Sequence, residues 1–166
     1  MRQSIIRVIF IILIAAVVIG CDQSTKFMAR KTLKNLGTVK VVDDIFILRY
    51  VENNGAFLSF GSNWSPRLRY FVFILFPILL LSIFIIYILK SKKANIWQII
   101  AFAFITGGGI SNLIDRIIFN GYVTDFMNLG VATMRTGIFN CADLFILAGI
   151  IIILIMSKEI FWKRKK

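Results

Sequence analysis

Histidine is missing from this chain of 166 residues. That absence removes Ser–His–Asp and Cys–His nucleophilic catalysis, along with every zinc site that uses imidazole. Cysteine occurs twice, at Cys21 and Cys141, too few for a disulfide framework or a four-thiolate metal site. Each lies in or at the end of an apolar run, where a small buried hydrophobe accounts for it. Internal repeats and low-complexity segments are also absent. Acidic residues are few, eight against twenty basic ones, so the position of each acid carries information.

What the chain has in excess is apolar surface. It is 58% hydrophobic with a mean hydropathy of +0.83, which marks an integral membrane protein that lipid solvates and that needs no large private core. The net charge of +12 is not read as a nucleic-acid footprint, because its tight clusters flank apolar runs. Those clusters are Lys90, Lys92 and Lys93, then Lys158, Lys163, Arg164, Lys165 and Lys166. They read as cytoplasmic anchors against anionic lipid.

Four apolar runs approach the ~20 residues that a spanning helix needs: about 5–22, 70–89, 96–115 and 142–160, the last followed by Trp162 as an interfacial anchor. Arg2, Arg7 and V-I-G-C at 18–21 also resemble a lipoprotein signal peptide. Three further spans argue against a cleaved secreted product. The first connection is long, and residues 26–36 suit a short interfacial helix. Residues 38–42 and 45–51 are β-branched and aromatic around Asp43-Asp44, Asn53-Asn54-Gly55 supplies a turn, and 57–60 continues the pattern. The expected fold is an all-α membrane protein, a single domain over 1–166. It has four transmembrane helices and a small extracytoplasmic β-rich subdomain in the first loop, at about 37–62. Asn140 is the expected N-cap of the last helix. Basic density in the Lys90–Lys93 turn and the C-terminal tail places both termini in the cytoplasm.

This topology gathers the acids. Asp22 lies ~26 Å along a helix from Ile5, and Asp115 ~29 Å from Ile96, at 1.5 Å per residue. Both therefore come near the far side of a ~30 Å hydrocarbon core. Asp125 follows in the next loop, and Asp143 opens the last span. A carboxylate at or near hydrocarbon is costly and is a functional-site candidate by default. Each has a plain alternative: Asp22 stops a helix at the interface, Asp125 is solvated, and Asp143 serves a helix dipole. Asp115 and Arg116 point about 100° apart and need not pair with each other. Gly107-Gly108-Gly109 allows close helix packing. Together, though, the four acids converge on the extracytoplasmic face. Without histidine or a metal cluster, the hydrolytic chemistry left to them is two aspartates and a water. Such a pair shares one proton, with one pKa raised and the other lowered.

Five segments carry a resemblance: D-Q-S-T-K at 22–26, N-N-G-A at 53–56, G-G-G-I-S-N-L-I-D-R at 107–116, G-Y-V-T-D-F at 121–126 and F-N-C-A-D at 139–143. In this order they resemble the blocks of bacterial lipoprotein signal peptidase (signal peptidase II), across nearly the whole chain. The resemblance implies a cofactor-independent aspartic endopeptidase of the bacterial cytoplasmic membrane. Such an enzyme cuts prolipoproteins before a diacylglyceryl-modified cysteine. It implies Asp125 and Asp143 as the catalytic pair, with Asp22, Lys26, Asn53, Gly55, Asn112, Asp115, Arg116, Asn140 and Ala142 binding substrate or supporting the site. Expected partners are the lipidated precursor and membrane lipid, with no nucleic acid, and the chain is expected to act as a monomer. One departure is Ser111, where the family pattern has glycine. The competing readings are a small transporter and an accessory membrane protein with non-catalytic carboxylates. Transporters place their acids near the midplane on repeated halves, and neither feature is evident here.

Overall fold

A computed structural model describes residues 2–56, 60–91 and 94–163, with side chains from 6 to 157. The expected strand continuation at 57–59 and the basic residues Lys92, Lys93 and Arg164 to Lys166 lie outside the described residues. The side chains of Lys158, Glu159, Trp162 and Lys163 lie outside them as well. Along the described chain the elements run α1 (Arg2–Leu36), β1 (Thr38–Val42), β2 (Phe46–Asn53), α2 (Pro66–Tyr70), α3 (Phe76–Lys90), α4 (Ile96–Ile118), β3 (Val123–Val131), β4 (Met134–Arg135) and α5 (Cys141–Lys163). A π-helical stretch, Phe71–Leu75, joins α2 to α3 without a break.

Among the described residues, three helical segments are long and apolar enough to cross a bilayer: Ile6–Leu36, Pro66–Lys90 and Ile96–Ile118. The described apolar part of α5, Cys141–Ser157, is shorter. The first of these differs from the expected span and separate interfacial helix. α1 is one continuous helix of 35 residues, ~52 Å long at 1.5 Å per residue and so well beyond one hydrocarbon thickness. Polar residues do not stop it, because Asp22 and Lys26 lie one turn apart and pair with each other inside the protein. It ends at Gly37, whose φ of +71° is the left-handed helix terminus that glycine adopts without strain.

The glycine triplet of α4 meets a different neighbour at each step, as the ~100° turn per residue requires. A Cβ on Gly107 would lie 2.9 Å from Val18 Cβ of α1. On Gly108 it would lie 2.7 Å from the Ala142 carbonyl of α5, and on Gly109 2.9 Å from Leu81 Cδ2 of α3. α4 is thus the central helix, and small residues let three helices approach it. Its own start is fixed by a capping box, with Asn95 accepting from Gln98 N and the Gln98 side chain reaching back.

The sheet is where structure and sequence reading part. Among the described residues it has four antiparallel strands in the order β1-β2-β3-β4, of which the first two belong to the first loop. β3 comes from the connection between α4 and α5, which reads as loop in the sequence. Val123 to Phe126 are all buried, so the alternation that betrays a half-buried strand is missing. In the register, Val51 opposes Asp125 and Asn53 opposes Val123. Ala29 and Leu33, on the extension of α1 past Asp22, pack against Phe126, Leu48, Tyr50 and Met127. The sheet therefore rests on the overhang of α1 and delivers Asp125 to the mouth of the helical bundle.

Candidate active site

Asn140 caps α5 as the sequence indicates, and its cap is reciprocal. Asp143 N donates to Asn140 Oδ1 at 3.1 Å, and Asn140 N donates to Asp143 Oδ2 at 3.1 Å. The remaining Asn140 donor reaches across to the sheet, Nδ2 to Asp125 Oδ1 at 2.7 Å. One residue therefore holds the Asp125 carboxylate of β3 and the Asp143 carboxylate of α5. Asn53, at the end of β2, donates from Nδ2 to the other Asp125 oxygen at 2.9 Å. Asn112 of α4 donates from Nδ2 to Asp143 Oδ1 at 3.0 Å. Both aspartates line one cavity of about 160 Å³, together with Asn53, Asn112, Arg116 and Asn140. A water in liquid occupies ~30 Å³, so the space suits a few waters or one peptide group.

Behind this cavity lies a layer of charge with no access to solvent. Asp22, Lys26 and Asp115 are each 0% exposed. The Lys26 ammonium uses three partners: Asp22 Oδ2 at 2.7 Å, Asp115 Oδ2 at 3.3 Å and Asn112 Oδ1 at 2.7 Å. An ammonium has three donors and no acceptor, so this set satisfies it, and it fixes which way the Asn112 amide faces. With Oδ1 turned to Lys26, the Asn112 NH₂ must face Asp143.

Asp22 ties three helices at one point. Its Oδ2 also accepts from Ser111 Oγ at 2.7 Å, and its Oδ1 accepts from Ala142 N at 2.8 Å, an anion at the N-terminus of α5 where the helix dipole favours one. Asp115 accepts from Gln23 Nε2 and from Thr124 N, each at 3.0 Å, which anchors β3 one residue before Asp125. Asp115 and Arg116 do diverge, as expected. Arg116 turns to the cavity side, where Nη2 donates to the Gly55 carbonyl at 2.9 Å. Gly55 N in turn donates to Asn53 Oδ1 at 2.9 Å, closing the Asn53-Asn54-Gly55 turn.

Asp125 is 3% exposed. Burial, and next the charge of Asp143, push its pKa up to about 7; the Asn53 and Asn140 donors and the Lys26 charge pull the other way. Burial in low dielectric disfavours the charged form, and a like charge adds to that. A carboxylic acid poised near neutral pH is suited to proton transfer.

The structure thus brings Asp125, Asp143, Asn53, Asn112, Arg116 and Asn140 to one cavity, with Gly55 contributing backbone at its edge. Asp22, Lys26, Asp115 and Ala142 form the supporting layer. Four supporting groups lie beyond the residues given a site role in the sequence. They are Gln23; Thr124; Arg30, whose Nη1 donates to Thr124 Oγ1 at 2.8 Å; and the Ser111 hydroxyl. Gln23 and Thr124 lie inside the D-Q-S-T-K and G-Y-V-T-D-F blocks, next to Asp22 and Asp125, and that position is the signal they give.

Helices of membrane-crossing length, crowned by a sheet that carries an aspartate against a second aspartate at a helix start, define the class as a membrane protease. Residues 14–159 match the family described as Signal peptidase (SPase) II, and the chain belongs to that family. The lipoprotein signal peptidase of Caldanaerobacter subterraneus subsp. tengcongensis is 37% identical over 142 residues, covering 86% of this chain and 91% of that one. That of Borreliella burgdorferi is 35% identical over 163 residues, covering 95% and 92%. Among solved structures, a bacterial membrane enzyme determined by the in meso method at 2.3 Å resolution superposes with a TM-score of 0.78. It is 27% identical, and the match covers 90% of this chain and 88% of that one. A second, at 1.9 Å resolution, gives 0.74 at 28% identity, with coverage of 89% and 92%.

Proposed function

We infer that this protein removes signal peptides from prolipoproteins by cutting before the diacylglyceryl-modified cysteine, with Asp125 and Asp143 as the catalytic pair. The observation that carries this reading is the double role of Asn140, which holds both carboxylates on one small cavity. The pair binds one proton between its two members. The ionised carboxylate takes a proton from water as that water attacks the amide carbon. The protonated partner hydrogen-bonds the carbonyl oxygen and then protonates the leaving amine. The proton belongs to the pair, so neither residue is assigned a fixed role. No cofactor or metal enters these steps.

The surroundings suit an apolar, lipidated substrate. A groove of about 440 Å³ runs along α5, lined by Leu129, Phe139, Leu144, Leu147 and Ile150, and Asp143 stands in its wall. An apolar signal peptide lying there would present its backbone to the pair while its side chains stay out of water.

In this reading the whole chain is one membrane domain. It crosses the bilayer four times, α5 providing the fourth crossing, with both termini cytoplasmic and the site near the extracytoplasmic face of the cytoplasmic membrane. Arg7 Nη1 donates to the Ser91 carbonyl at 3.1 Å, which puts the start of α1 beside the α3–α4 turn, while the cavity is at the level of Asp22 and Lys26, about four to five turns further along α1. The remaining supporting residues keep the roles described above, and the protein works as a monomer in contact with lipid.

The test is cleavage in detergent of a synthetic precursor with and without the diacylglyceryl group on its cysteine. The lipidated form is expected to yield a new N-terminal lipid-modified cysteine by mass spectrometry, and the unmodified form little or none. Equal cleavage of the two, or cleavage at another bond, would remove the substrate assignment.

A further inference from the structure

Cys21 and Cys141 take no part in the chemistry above, yet they meet at the joint that holds it together. Both are free thiols, Cys21 exposed and Cys141 half-buried. Each directly precedes one partner of the α1–α5 hydrogen bond, Ala142 N to Asp22 Oδ1 at 2.8 Å. Thr25 settles the faces. Its hydroxyl donates to the Cys21 carbonyl at 2.9 Å and lies 3.4 Å from Cys141 Sγ. Cys21 sits one turn before Thr25, and residues four apart share a helix face. The Cys21 side chain therefore leaves α1 on the side where Cys141 lies.

We propose that Cys21 and Cys141 form an intramolecular disulfide that staples α1 to the first turn of α5, one residue from the Asn140 cap. The oxidant is a second disulfide, a small molecule or an oxidised dithiol protein. The exposed Cys21 thiolate attacks one sulfur of that disulfide, forming a mixed disulfide and releasing one thiolate. The Cys141 thiolate then attacks Cys21 Sγ, closing the bridge and releasing the second thiolate. Two electrons pass to the oxidant, and the two cysteine protons go to the released thiolates. On the extracytoplasmic face such a bridge persists. It joins positions far apart in sequence, so it restricts the unfolded chain over a long loop.

The test uses the purified full-length protein in detergent, equilibrated with oxidised glutathione or with dithiothreitol, then acid-quenched, unfolded and tagged with a maleimide. Dithiothreitol is expected to leave two tagged thiols per chain and oxidised glutathione none, with a Cys21–Cys141 linked peptide in the digest and an unchanged monomer band. Cys21→Ser and Cys141→Ser are each expected to keep a single thiol, free or glutathionylated, and to form no linked peptide. Reduction is expected to lower the melting temperature by about 5 °C or more in the wild type and not in Cys21→Ser. Two tagged thiols after oxidation, separate glutathione adducts on each sulfur, or cross-links only between chains would overturn the proposal. None of these readouts depends on proteolysis, so they stand or fall apart from the substrate assignment.

Discussion

The Asn112 amide can be turned either way by a rotation of its side chain, and Lys26 decides which. The ammonium takes Asn112 Oδ1 at 2.7 Å, leaving the NH₂ for Asp143. Replacing Lys26 with methionine keeps much of the volume but strands Asp22 as a buried charge without its cation and leaves Asp115 only Arg30, at 3.8 Å. Breaking a buried pair from one side costs ~3–5 kcal/mol, so Lys26→Met is expected to lower the melting temperature by about 10 °C or more in detergent. An unchanged melting temperature would mean that the buried charges find other compensation. The pH profile is set at the same scale. Asp125 titrates at about 7, raised by burial and then by Asp143, and the pair needs its shared proton to protonate the leaving amine. Cleavage in zwitterionic detergent is therefore expected to fall above pH ~7, about tenfold per pH unit, because the last shared proton is lost. A rate that still climbs between pH 7 and 9 would contradict that assignment. Asp22, Asp115, Asp125 and Asp143 stand out in the sequence because acids are rare and lie against apolar runs. The amides that orient them are reached only through the resemblance, and Asn140 also as a helix cap, since asparagine carries no charge to mark its burial.

Among the elements, α4 controls how close the others come. A Cβ at Gly108 would lie 2.7 Å from the Ala142 carbonyl, a backbone atom one residue from Asp143. Gly108→Ala is expected to cost ~1–3 kcal/mol as an overpacked contact and to lower cleavage by pushing the start of α5 away from β3. Gly20→Ala is the control, since nothing lies within 4 Å of its added Cβ, and it is expected to match the wild type in both measurements. Equal behaviour of the two variants would show that α4 does not set the α5 position. The helices are legible in the sequence as long apolar runs bounded by charge. The continuity of α1 is not, because Asp22, Lys26 and Arg30 read as an exit to water when they are seen without the partners that bury them. β3 is hidden for the opposite reason. Buried from Val123 to Phe126, it shows no alternation, and its strand partner lies in the distant first loop.

At the scale of the whole molecule, the sheet stands on the overhang of α1 while the helices carry exposed apolar side chains such as Ile12, Val17, Leu79, Leu147 and Leu154. Lipid is the solvent that this surface requires. The proposed orientation is checked by single cysteines introduced at Lys40 and at Ser91 in a chain whose own two cysteines are serine. A membrane-impermeant maleimide added to intact cells is expected to label the first and not the second. The reverse pattern would invert the topology and place the cavity in the cytoplasm. The five sequence blocks lie up to 121 residues apart (Asp22 to Asp143), and the fold unites them because α4 ends and α5 starts at the level where α1 carries Asp22 and Lys26. Side-chain orientation within that level follows from packing, which no single segment encodes.

The most direct measurement is the initial rate of cleavage of a diacylglyceryl-modified precursor by the wild type, Asp125→Asn and Asp143→Asn, alongside their melting temperatures. Each substitution is expected to reduce the rate by ~10³-fold or more while the protein still inserts and melts cooperatively. Either variant cutting at a rate within a few-fold of the wild type would contradict the account.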